Sequence, residues 1–125
     1  MFVVKEDQSI HITRGDFAVI EFTPKTIAGD VHTFKSDDIV RFTVTEKGKC
    51  ESVVLEKNVL ITEECSTVEI YLASSDTRIG EPINRPVDYW YEISINPDTM
   101  SQTPIGYDTE GAKIFRLYPE GGDKQ

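Results

Sequence analysis

The run from Val87 to Asn96 alternates without a break. Val87, Tyr89, Tyr91, Ile93 and Ile95 fall on one side, and Asp88, Trp90, Glu92, Ser94 and Asn96 on the other. A period of two in β-branched and aromatic residues marks a half-buried strand. One face belongs against a core. The other faces water, yet it carries Trp90, the only tryptophan of the chain.

The rest of the chain repeats this grammar. Ser9 to Thr13 alternates, with Ile10 and Ile12 inward, and Arg14-Gly15-Asp16 then turns the chain. Phe17 to Phe22 is apolar on both sides, which predicts a central or covered strand. Pro24 ends it, and Gly29-Asp30 signals a turn. Val31 to Phe34 reads as a short strand. Ile39 to Thr45 reads as a longer one, with Val40, Phe42 and Val44 on one face. Lys47-Gly48-Lys49 is a tight turn, so Cys50 to Leu55 is expected to pair back as a hairpin. Lys57-Asn58 reads as a further turn before the apolar Val59-Leu60-Ile61. Thr67 to Leu72 alternates again, with Val68, Ile70 and Leu72 inward. Ala73 to Thr77 is the one place that admits a helical turn. Thr103–Tyr107 and Ala112–Tyr118 are expected to close the fold as a hairpin around Asp108-Thr109-Glu110-Gly111.

Many short strands with turn signals between them, and no long period of three to four, predict an all-β antiparallel sandwich of two sheets. Residues 1–119 are expected to form one domain and 120–125 a flexible polar tail. The predicted core is Ile20, Phe42, Val44, Ile70, Leu72, Tyr89, Tyr91 and Ile93.

At 125 residues the chain is long enough for one core. Its net charge of -9, from 22 acids against 13 bases, argues against nucleic acid, which needs cations to displace counterions. No segment is apolar for long enough to span a membrane, and the first residues do not read as a signal peptide. Cys50 and Cys65 are too few for a disulfide framework and are expected to be reduced and structural. His11 and His32 lack companions at metal spacing. Asp37-Asp38, Glu63-Glu64 and Asp76 lack the alternating oxygen ligands of a calcium loop. Arg14-Gly15-Asp16 spells an integrin tripeptide, but a turn accounts for each residue. No nucleophile motif or phosphate loop occurs. The chain is therefore read as a non-enzyme, with no catalytic residue, cofactor or metal. The aromatics Trp90, Tyr71 and Tyr107 sit on otherwise polar faces and are the candidate interface.

The order of the segments is also familiar. Ile10-His11-Ile12-Thr13-Arg14-Gly15-Asp16 opens the chain. Phe34-Lys35-Ser36-Asp37-Asp38-Ile39-Val40-Arg41-Phe42-Thr43-Val44 follows. Then come Val68-Glu69-Ile70-Tyr71-Leu72 with Ser75-Asp76-Thr77, the Tyr89-Trp90-Tyr91-Glu92-Ile93 strand, and a last strand ending Phe115-Arg116-Leu117. This order resembles the N-terminal domain of the baseplate upper protein in phages and prophages of Gram-positive bacteria. Asp37 stands where that pattern usually has Gly, and Glu92 where it usually has Asp. The resemblance implies an immunoglobulin-like sandwich and a structural part in a tail baseplate. It implies an adaptor that contacts other tail proteins or itself as a homo-oligomer, made in the bacterial cytoplasm and carried in the virion tail. The alternative, from the aromatics alone, is a carbohydrate- or cell-surface-binding module.

Overall fold

The strongest alternations all become strands. The computed structural model describes residues 1–26 and 28–120. Among them the chain is all β, with nine strands and no helix. They are β1 (Phe2–Val4), β2 (Ile10–Thr13), β3 (Ala18–Phe22), β4 (Ile39–Glu46), β5 (Lys49–Leu60), β6 (Val68–Leu72), β7 (Val87–Ile95), β8 (Gln102–Ile105) and β9 (Lys113–Tyr118). Seven strands make a large sheet in the order β1-β2-β9-β7-β4-β5, with β8 beside the end of β7. The other two, β3 and β6, make a small antiparallel sheet.

The two sheets meet through one core. Ile10, Ile12, Phe42, Val44, Ile93, Phe115 and Leu117 come from the large sheet, and Ile20, Ile70 and Leu72 from the small one. Phe34, between the strands, is fully buried with them and lies 6.2 Å from the Phe22 ring. Burying a side chain of this size is worth roughly 1.5–3 kcal/mol, so the phenylalanines Phe34, Phe42 and Phe115 anchor both layers. Seven of the eight predicted core residues are buried. Tyr89 is only half-buried and packs against the margin of the core, opposite Glu46 at the end of β4.

Several expectations need correction. The large sheet is mixed rather than antiparallel, since β2 runs parallel to β9. These strands come from opposite ends of the sequence, so no hairpin turn dictates their direction. Lys57-Asn58 does not turn the chain. It lies inside one long β5, where Arg41 Nε donates to Asn58 Oδ1 at 2.8 Å and Lys57 Nζ meets Asp76 at 3.0 Å. A bulge near Val44 and Thr45 bends this pair instead. Val31 to Phe34 makes only two isolated bridges, Lys25 to Val31 and Phe34 to Cys65. The predicted closing hairpin also fails. Pro104 lies in β8, and β8 and β9 both pair with β7, one after the other along the same edge.

Other local readings hold. Ala73 to Thr77 forms a single turn, with the Asp76 N–H donating to the Ala73 carbonyl and the Asp76 carboxylate receiving the Ala73 N–H. Gly111 takes a φ of +100° in the turn that joins Asp108 to Gly111. Of the expected tail, 120–125, Glu120 is held by Arg14 and Arg78, and residues 121–125 lie outside the described residues.

Candidate functional site: two aromatic faces and an open flank

β7 turns Tyr91, Ile93 and Ile95 to the core, so Trp90 must lie on the outer face of the large sheet. There it sits in register with Thr45 of β4 and Ile114 of β9, and Thr45 in turn faces Val53 of β5. The result is a row, Val53-Thr45-Trp90-Ile114, across four strands. Tyr107 reaches this row from the segment after β8. Its ring meets that of Trp90 edge-on, with centroids 5.9 Å apart. Trp90 is half-buried in this company, whereas Tyr107 is 75% exposed. Asp88 and Arg116 flank the row as a two-pronged ion pair of 2.6 and 3.1 Å. The guanidinium of Arg116 holds the Asp88 carboxyl below its ordinary value.

Tyr71 belongs elsewhere. It is on β6, out of phase with the buried Ile70 and Leu72, so it faces outward from the small sheet. The candidate trio is thus split between opposite faces of the molecule. Tyr71 has its own neighbours. Val19 is opposite it in register, and the Phe17 ring lies 6.3 Å away and is 61% exposed. Sequence reading placed Phe17 in a covered strand and overlooked Val53 and Ile114. The signal for all three was an apolar side chain out of phase with its own strand's core positions.

A third feature is an open flank. A cleft of about 880 Å³ runs along β3 from Val19 to Lys25 and is floored by Ile10, Tyr91 and Ile93. No residue of β6 lines it, so it follows the edge of β3 that faces away from β6. β3, expected to be central or covered, is therefore neither, since Phe17, just before it, and Glu21 on its outer face are exposed. Among the described residues it has a strand on one side only.

Several of the residues considered for chemistry have structural partners. The Arg14-Gly15-Asp16 segment is a turn, with Gly15 at φ +88° and Arg14 buried. Arg14 Nη2 donates to the Gly80 carbonyl at 2.8 Å and Nη1 to Glu120 at 3.1 Å. Asp38 receives the Lys35 N–H and the Asn96 amide. His32 packs edge-on to Phe34 at 4.8 Å. Among the described residues no three of His, Cys, Asp and Glu converge in a cluster able to hold a metal ion. No helix there is long and apolar enough to cross a membrane.

Cys50 and Cys65 are both free thiols. Cys65 packs against the core, but Cys50 is exposed, contrary to the packing role expected of it. A thiol-reactive dye should therefore label Cys50 quickly in the native protein and find two thiols in denaturant. A count of zero in denaturant would mean a bridge between them.

His11 is buried on β2. Its Nδ1 pairs with the Tyr118 hydroxyl at 2.8 Å and its Nε2 with the Ser9 hydroxyl at 3.0 Å. Burial pushes the imidazole below its ordinary value of 6.5, and Lys5 and Arg116 push the same way. The unfolded chain then takes up a proton first as the pH falls. The stabilisation is complete above 6.5 and is lost as pH drops through the lower folded value. Thermal melts at about pH 7.5 and 5.5 should show this loss, and His11→Gln should flatten it. A wild-type melting temperature that does not fall between these values would refute it.

Comparison with family models, with curated proteins and with solved structures returns no match to this chain.

Proposed function

We propose that this chain is a non-enzymatic structural module of a phage or prophage tail baseplate, with an immunoglobulin-like sandwich as its scaffold. The observation that carries the reading is where the segments of the resemblance lie. The Arg14-Gly15-Asp16 opening and the Asp76-Thr77 turn are some sixty residues apart, and they touch. The Gly15 N–H donates to Thr77 Oγ1 at 2.9 Å, and that hydroxyl reaches the Asp16 carbonyl at 2.9 Å. Asp37 supports it too. It stands where the family pattern has Gly, and its φ is +77°, the left-handed conformation for which Gly is ordinarily chosen. These motifs are joints of the fold, as a resemblance in architecture requires.

The working surface in this reading is the Trp90 row with Tyr107. It has an apolar centre and a charged rim in Asp88, Arg116 and Glu92, the anatomy of a protein contact. A protein partner fits it better than a sugar, because Trp90 is half-buried and Tyr107 meets it at 63°, so the rings do not form one flat platform. The partner is another tail protein or a second copy of the chain, and the chain resides in the virion tail.

Trp90→Ala should leave the protein folded, at a cost of no more than about 2 kcal/mol since the ring is only partly buried. It should weaken self-association or partner capture from purified tail particles. Sedimentation and thermal melting separate the outcomes. A sharp loss of stability would make Trp90 a core residue. Unchanged assembly with lost glycan binding would favour the sugar reading. Absence of the chain from tail particles made by the bacterium that encodes it would end the baseplate proposal.

A further inference from the structure

The open flank is a second site, on the opposite side of the core from the Trp90 row. We propose that it takes an extended segment of a partner protein, which adds as a third strand to the free edge of β3.

Four observations converge on this. First, the sheets are unequal. A seven-stranded layer faces a two-stranded one, and its rim at β1 and β8 is left partly exposed. On β1, Phe2 and Val4 share the core face with Ile12 and Ile10, their partners in register. Val4 is nevertheless 50% exposed. Second, among the described residues β3 pairs with β6 alone, so half of its backbone N–H and C=O groups point along the cleft with no strand there to receive them. Third, β3 is apolar except at Glu21, with Val19 on the outer face and Ala18, Ile20 and Phe22 inward, although it lies at an edge. An added strand would pair that edge. Fourth, Glu21 lies directly opposite Glu69 on the outer face of the small sheet, and among the described residues neither forms an ion pair. Like charges facing each other across strands destabilise the pair.

These features specify the occupant. An added strand of five residues would span about 17 Å and alternate its side chains. Its inward residues would be apolar, to lie over Phe2, Val4 and Ile105. Its outward residues would be lysine or arginine beside Glu21. Residues 121–125, Gly-Gly-Asp-Lys-Gln, carry no apolar side chain and do not fit. A second copy fits poorly, because it would bring another net charge of -9 and a second Glu21 to the same seam.

The probe is a fluorescent nine-residue peptide alternating lysine with valine and isoleucine, read by anisotropy against the full chain. It should bind saturably at or below about 1 mM. Two N-methylated forms, each blocking alternate amides, should differ. The form that blocks the amides facing β3 should lose at least about tenfold, and the other should stay within about twofold. Val4→Lys, at an exposed position, should weaken binding without changing the melting temperature. Glu21→Lys should reverse the preference, favouring a glutamate version of the peptide. Trp90→Ala should leave peptide binding intact, so this proposal and the one built on Trp90 stand or fall separately. No saturable binding, or equal effects of the two N-methylated forms, would overturn it. So would a concentration-dependent dimer that Glu21→Lys strengthens, since the edge would then belong to a second copy.

Discussion

Replacing Tyr91 by alanine should lower the unfolding free energy by about 3–5 kcal/mol, the range for truncating a large buried aromatic. Tyr91 is 5% exposed and sits mid-strand in β7, between Val44 of β4 and Lys113 of β9. Its ring lies 5.6 Å from that of Phe42, tilted by 40°. Truncation would lose that aromatic pair and open a void beneath the cleft along β3. The hydroxyl has a separate task. It donates to the backbone carbonyl of Gln8, a residue with φ +70°, and so ties the loop between β1 and β2 to the core. Tyr91→Phe keeps the ring and should cost only about 0.5–1.5 kcal/mol. Burial, with a smaller contribution from Asp7, also pushes the phenol above its ordinary value of 10.0. The unfolded chain therefore loses this proton first, and stability should fall as the pH rises above 10. The phenylalanine variant should show a weaker alkaline decline. Urea midpoints of the two variants test the claim. An alanine variant with an unchanged midpoint would put Tyr91 outside the core and shift the register of β7 by one.

What the sequence discloses and what it hides follow one physical line. β4, β6 and β7 are legible because apolar side chains alternate with mostly polar ones, and a period of two records that directly, even where the outward Thr43, Thr45 and Ser94 are themselves buried. Lys57 and Asn58 mislead because their polarity is answered by partners far away in sequence, Asp76 and Arg41. The run from Thr103 misleads in its partner only: it is a strand, with Pro104 tolerated because β8 is an edge, but it pairs with β7 and not with β9. The parallel pairing of β2 with β9 has no local signal at all. The same limit applies to the candidate surface. Alternation correctly turned Trp90 and Tyr71 outward, but phase within a strand says nothing of which sheet the strand joins. Only the topology brings Tyr107 to Trp90 and sends Tyr71 to Phe17.

The second large effect is expected at Thr77, a residue whose weight no pattern of hydrophobicity reveals. Its side chain is fully buried. The hydroxyl accepts the Gly15 N–H at 2.9 Å and faces two carbonyls, those of Asp16 at 2.9 Å and Ser74 at 3.2 Å. It has one proton to give, so one carbonyl at a time receives it. Gly15 cannot yield to compensate. Its φ of +88° suits glycine, and a Cβ there would stand 3.0 Å from the Arg78 and Glu120 side chains. Arg14, just before it, is held by the Gly80 carbonyl and Glu120. Thr77→Val keeps the volume and removes only the hydroxyl, leaving a donor and an acceptor near the core without a partner. The expected cost is about 1–3 kcal/mol. Thr77→Ser keeps the hydroxyl and loses a methyl group, so it should cost about 1 kcal/mol. If valine instead proves no worse than serine, this hydroxyl does not join the two turns. The contact that carries the proposed resemblance would then be packing alone.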